Sequence, residues 1–268
     1  MSIKSVRQWI LLLGFAVLIP LSMTRAAAAS DWKWSVTPYV WATDVSTDVS
    51  IDDRRVADME IDFDDLAEDL ELAAQGHIEG LHGRHGVMLD LFNVHLADDD
   101  KRFGLPAPLA GRASVDGDLT LTILDLGGVF NPRGDGEGFS LYYGGRAVDR
   151  DIEVDARLEL GPGVTLGRSY EVSETLYDAL LGVRYAGRIT PRWSYGLQAD
   201  ASTGGTEQTW SALAGLGYSF GKQGRYTLIA GYRYMDIQFE KDNATPRGGD
   251  VDADVTLSGF ISGLRIAF

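Results

Sequence analysis

The feature that most constrains this chain is a two-residue alternation of unusual sense that recurs from Glu171 to Phe268. Between Thr175 and Ile189 one parity reads Tyr177, Ala179, Leu181, Val183, Tyr185, while the other reads Asp178, Leu180, Gly182, Arg184, Ala186, Arg188. The run at 226–235 repeats it, with Tyr226, Leu228, Ala230, Tyr232 and Tyr234 against Thr227, Ile229, Gly231 and Arg233. The last run sets Phe260, Leu264, Ile266 and Phe268 against Gly259, Gly263 and Arg265. A period of two marks strands. A soluble sandwich packs its bulky apolar parity inside and turns its charges to water. Here glycine shares a face with charge, which suits a narrow lumen, and the purely apolar face suits lipid. The expected fold is therefore all-β, a transmembrane antiparallel up-and-down β-barrel.

Aromatic spacing supports the same orientation. Tyr177 and Tyr185, Trp210 and Tyr218, Tyr226 and Tyr234, and Phe260 and Phe268 are each eight residues apart on the presumed lipid face. Eight residues rise roughly 3.3 Å each and, tilted about 40°, cover on the order of 20 Å, close to the ~25 Å apolar band of such barrels. Aromatics are common in strands. Four repeats at one spacing and parity favour two interfacial belts over coincidence.

The chain of 268 residues carries 24 Lys plus Arg against 39 Asp plus Glu, a net charge of −15, and no cysteine. Disulfide scaffolds, thiol catalysis and Cys-ligated zinc are excluded, and the charge is opposite to what a nucleic-acid partner requires. Residues 1–29 read as a signal peptide: Lys4 and Arg7, an apolar run from Trp9 to Leu21, then Ala26–Ala29 as small residues for cleavage. That run is shorter than the about 20 residues of a membrane span. Removing Lys4, Arg7 and Arg25 would take the net charge from −15 to −18. Residues 30–268 would then form one exported domain.

Turn sequences at 189–192, 203–206, 221–224 and 242–249 separate five late strands. Earlier strands are expected at about 33–45, 71–82, 86–97, 115–130 and 139–156, with turns at His82–His85 and Asn131–Gly138. The count is about ten, or eight if 139–170 is irregular. The first strand leaves its outward face open, since Trp34, Val36 and Val40 compete with Tyr39 and Trp41.

Several stretches resemble one known family. They are Trp34–Trp41, Phe63–Leu66 with Leu70, Glu79–Asp90, Leu181–Tyr185, Leu213–Tyr218, Gly231–Tyr234 and Gly263–Phe268. Together they are similar to a large family of proteobacterial outer-membrane β-barrels grouped with OmpA-like and porin-family small barrels. The resemblance covers nearly the whole mature chain and implies an outer-membrane location in a Gram-negative envelope. It also implies that Phe268 is the terminal aromatic read by the outer-membrane assembly machinery.

Extending the parity places Glu79, Asp90, Asp125, Asp178 and Asp200 in the lumen with Arg146, Arg184, Arg188, Arg233 and Arg265. In a barrel little wider than its own side chains, such groups are expected to pair into a plug, the alternative being a narrow gated channel. Twelve carboxylates lie between Asp44 and Glu71, with Asp62, Asp64 and Asp65 as weak candidates for Ca²⁺ or Mg²⁺ and for bridging to lipopolysaccharide. The favoured reading of that loop is a solvated acidic surface. No cofactor is expected. His77, His82, His85 and His95 form no His-Glu-x-x-His pattern, and no Gly-x-Ser-x-Gly elbow occurs. The function expected is a non-enzymatic structural or surface barrel or a narrow channel. The alternative is an enzyme acting on lipid or peptide at the outer rim.

Overall fold

The computed structural model describes residues 32–51, 54–61, 70–104, 112–159, 165–241 and 251–268. The expected signal peptide, and Asp62, Asp64 and Asp65, lie outside them. Eleven strands follow in chain order among the described residues: β1 (Trp32–Ile51), β2 (Arg54–Ile61), β3 (Leu70–His82), β4 (His85–Gly104), β5 (Arg112–Phe130) and β6 (Gly138–Glu159). They continue with β7 (Thr165–Arg188), β8 (Trp193–Gly204), β9 (Gln208–Phe220), β10 (Tyr226–Lys241) and β11 (Val251–Ala267).

From β3 onward each strand pairs antiparallel with the next, β1 pairs with both β2 and β3, and β11 returns to β1 from Ser35↔Ala267 to Ile51↔Val251, which closes the sheet. Closure through β1 and β11 removes the edges of the main barrel; among the described residues β2, paired to β1 alone, keeps a free side. The barrel has ten staves rather than eleven because β2 and β3 share one. The lower part of β1 pairs with β3, Trp32↔His82 to Pro38↔Gly76, and its upper part pairs with β2, Val45↔Ile61 to Ile51↔Arg54. The count of ten holds over the alternative of eight, since 138–159 and 165–186 pair along their length as β6 and β7.

Both ends of the described chain lie at one mouth, here called the terminal mouth, with the turns at 83–84, 131–137, 189–192 and 221–225. Asn131, fully buried, holds the second of these turns: its amide donates to the carbonyls of Glu137 and Phe139 and to Ser140, and its oxygen accepts from the Gly134 N–H.

The outward parity forms an apolar band. Leu126, Tyr177, Leu181 and Phe260 are 61, 71, 57 and 73% exposed, alongside Val40, Val87, Leu197, Leu216 and Leu228. All eight belt aromatics lie on this face, and some lean on neighbours: Trp193 packs on Tyr218 at 5.1 Å and Trp210 on Tyr234 at 4.8 Å. The ambiguity in β1 resolves with Trp34 and Val40 outside and Tyr39 and Trp41 buried inside.

Beyond the upper belt the sense of the alternation reverses. On β10 the outward series Tyr232, Tyr234 passes into Asp236, Gln238, Glu240, while the inward series Gly231, Arg233 passes into Met235, Ile237, Phe239. On β11 Phe260 gives way outward to Ser258, Thr256 and Asp254, and Gly263 gives way inward to Ile261 and Leu257. The distal third is therefore built like a water-soluble barrel. Its core joins Tyr39, Trp41, Phe92, Ile123, Met235, Ile237, Leu257 and Ile261, with Val45, Val94, Leu121 and Phe239 against it. The expectation of a lumen lined throughout by small and charged residues is corrected to this extent: it holds only for the part girdled by apolar side chains.

Candidate functional site: the polar interior

Two hydrogen-bonded groups occupy the middle of the barrel. In the first, Arg146 on β6 is completely buried and bridges two strands: its Nε and Nη2 donate to Asp125 on β5 at 2.7 and 2.8 Å, and Nη2 also donates to Asp200 on β8 at 2.9 Å. Asp200 accepts further from the Tyr142 hydroxyl at 2.8 Å and from Ser211 at 2.6 Å. The Tyr142 ring needs Gly182 beside it, since a β-carbon at 182 would fall within the ring.

The second group centres on β3 and β4. Asp90 accepts from the Tyr39 hydroxyl at 2.8 Å and lies 3.1 Å from His77 Nδ1, while His77 Nε2 lies 3.5 Å from Glu79. Arg184 crosses from β7 to grip Glu79 with both terminal nitrogens. Arg233 sits 3.9 Å from Asp90 and stacks on the Trp41 ring at 4.7 Å. Guanidinium groups suit these places because their planar forks meet carboxylates two bonds at a time and stack on aromatic faces.

The structure thus brings together Glu79, Asp90, Asp125, Arg146, Arg184, Asp200 and Arg233. It does not pair the remaining three expected members with opposite charges of that expected lumenal set. Asp178 accepts from Ser202 at 2.9 Å and from both the backbone and hydroxyl of Thr206, because the tight β8–β9 turn folds over it and supplies donors without a cation. Arg188 bonds Glu137 in the β5–β6 turn at the rim. Arg265 makes no ion pair or hydrogen bond among the described residues. Sequence reasoning missed Tyr39, Tyr142, Ser202, Thr206 and Ser211 as partners. Parity placed Tyr142, Ser202 and Ser211 inside, left Tyr39 open and put Thr206 in a turn, and nothing in a strand pattern ranks an inward hydroxyl as an acceptor's partner.

Both ring nitrogens of His77 face carboxylates, and the buried hydroxyls of Ser202 and Ser211 donate to aspartates. Among these contacts, no serine or threonine hydroxyl meets the imidazole that would activate it as a nucleophile. The arrangement cross-links strands. Apolar side chains close it on two sides, the distal core and a second cluster of Leu81, Met88, Val129, Tyr142 and Leu180.

No family model and no curated protein matches this chain. Among solved structures it is similar to Ail, the attachment invasion locus protein of Yersinia pestis, at 13% identity over 86% of this chain and 97% of that chain, with a TM-score of 0.28. It is also similar to a FadL homologue of Pseudomonas aeruginosa, at 11% identity over 88 and 90% of the two chains and a TM-score of 0.30. The Pseudomonas putida toluene transporter TodX gives 10% identity over 88 and 89%, with a TM-score of 0.32. At these scores the fold rests on the strand register of this chain itself.

Proposed function

We propose that this protein is an integral outer-membrane β-barrel whose lumen is sealed, and that it acts as a structural or surface-exposed element and not as a conduit or an enzyme. The observation that carries the reading is the continuous outward apolar band around a closed sheet with charges inside. In water so large an apolar surface would drive association, whereas in a bilayer it is the required exterior. The seal is supported by the fully buried Arg146 and by the apolar core stacked beyond it.

The two ends differ in charge in a way that supports an orientation. Lys33, Arg84, Arg133, Arg192, Lys222 and Arg225 lie at the terminal mouth, and Asp44, Asp149, Asp236, Glu240 and Asp254 lie on the distal strands, with Glu207 in the β8–β9 turn. The short turns then face the periplasm and the acidic extension stands outside, against lipopolysaccharide. Phe268 would serve as the assembly signal in this reading; its N–H bonds the Trp34 carbonyl and ties the end of β11 to β1.

The mature chain should fractionate with the outer membrane and change gel mobility on boiling, and planar bilayers should register no steady conductance. Deleting Phe268 should lower assembly more than deleting a residue at 241–249. Recovery as a soluble protein indifferent to detergent would refute the membrane reading. A large stable conductance would refute the seal.

A further inference from the structure

The lumen is not electrically uniform. At its terminal mouth three guanidinium groups, Arg184, Arg188 and Arg265, share two carboxylates, Glu79 and Glu137. Glu79 is committed to the fork of Arg184 and to His77, and Glu137 to Arg188, so both acids are already engaged. Arg265 is left over. It projects inward from β11 by the parity that buries Ile261, it interacts electrostatically with Glu79, Arg184 and Arg188, and it is exposed despite lying on the inward face. An inward residue that is exposed is open to solvent at the mouth.

The wall beside these groups on β8, β9 and β10 is neutral and hydrogen-bonding. Thr227 is the register partner of Arg265 on β10, and its hydroxyl lies 3.0 Å from Ser219 on β9. Ser194 and Gln198 stand opposite Arg188 and Arg184 on β8. An unpaired guanidinium at this mouth, in a chain that is otherwise strongly acidic, gains most from a planar or tetrahedral oxyanion that its fork can meet with two bonds.

We propose that the terminal mouth of the barrel is a binding site for a compact oxyanion, a carboxylate or phosphate group of a solute on that side of the membrane, with Arg265 as its principal ligand and Arg184 and Arg188 supplying the field. The inference rests on the barrel reading for the shape of the mouth and goes beyond it in giving a sealed barrel a ligand.

The refolded barrel in neutral detergent is titrated calorimetrically at physiological salt with inorganic phosphate, with N-acetyl-alanyl-alanine and with the amide of that peptide. Boiling-dependent gel mobility reports, for each variant, whether the barrel has formed. Saturable one-to-one binding of phosphate or of the free-carboxylate peptide is expected, with the amide silent, and the arm that binds identifies the source of the oxyanion. Arg265→Gln should weaken binding at least tenfold, and Arg84→Gln, an exposed turn residue at the same mouth, should leave it within twofold. Arg265→Lys should recover part of the loss. Absence of binding to a properly folded barrel, or equal losses in Arg265→Gln and Arg84→Gln, would overturn the proposal while leaving the barrel reading standing. Loss of the mobility shift in the wild type would overturn the barrel reading itself.

Discussion

Replacing Arg146 by methionine tests the central ion network most directly. Methionine keeps roughly the length of the side chain and removes three charge-assisted hydrogen bonds, at 2.7 and 2.8 Å to Asp125 and 2.9 Å to Asp200. The two carboxylates are 5 and 7% exposed and stay behind. Each lost bond to a charged group is worth about 1.5–3 kcal/mol, but the three do not add. Asp200 keeps Tyr142 and Ser211, whereas Asp125 keeps no other hydrogen-bond partner among the described residues and only the more distant charge of Arg233. The penalty is then set by one orphaned buried carboxylate, and the expected loss is about 3–5 kcal/mol. Adding Asp125→Asn to Arg146→Met removes the orphaned charge and should return about 2 kcal/mol. Urea unfolding of the barrel in phospholipid vesicles, followed by tryptophan fluorescence, measures both. A single variant that loses under about 1 kcal/mol, or a double variant no more stable than the single, would show that the network does not bear on stability as argued.

Arg184→Ala should cost a few kcal/mol because it strips the fork from Glu79, and Arg233→Ala should cost less, its nearest carboxylate being 3.9 Å away; the same unfolding assay ranks them. Gly182→Val should cost about 1–3 kcal/mol by driving the Tyr142 ring off Asp200, and adding Tyr142→Ala should remove part of that penalty by vacating the space. On the distal strands, beyond the Phe260 belt, burial and then Asp236, Asp252 and Glu207 raise the Asp254 carboxyl above its ordinary value. The folded state therefore holds that proton more tightly than the unfolded chain, so stability rises as pH falls through the carboxylate range and declines above it. Asp254→Asn should flatten this part of the profile, read as urea midpoints between pH 4 and 7, and an unchanged slope would count against the assignment.

The stave count and orientation were legible because the membrane imposes two conditions on every strand at once. Leu181 and Val183 had to face outward once Gly182 and Arg184 shared the other parity, and the spacing of Tyr177 and Tyr185 set the height of the band. The path of β1 was not legible, since Trp34 and Trp41 are both large, aromatic and of opposite parity. The register decides it, because Trp41 lies over the interior guanidinium of Arg233 and Trp34 lies over Gly80 outside. The identity of the ion pairs was legible only in part. Parity shows which charges share the lumen, but the partner of each depends on the shear of the sheet and on turns such as the one that brings Thr206 to Asp178. Arg188 and Arg265 fell outside the expected pairing because both sit near the terminal mouth and are exposed: Arg188 takes its carboxylate, Glu137, from the β5–β6 turn, and Arg265 is open to solvent.

The reversal of polarity along β10 and β11 explains why the charges are where they are. Where lipid surrounds the barrel, the exterior must be apolar, and the ten-stave interior is left to hold the groups that can satisfy one another. Where water surrounds it, the exterior becomes Asp236, Gln238 and Glu240, and the interior takes over the burial of Met235, Ile237 and Phe239. A strand crossing that boundary changes sense without changing register, so no bulge is needed on β10, whose pairing with β11 runs unbroken from Tyr226 to Lys241. The stacked order that results, an exposed basic mouth, a paired polar middle and an apolar distal core, places the layer least permeable to ions at the distal end. Ions or solutes entering from the terminal side meet Arg265 first and the distal core last. A barrel so built can present a ligand site at one mouth while remaining closed to passage at the other.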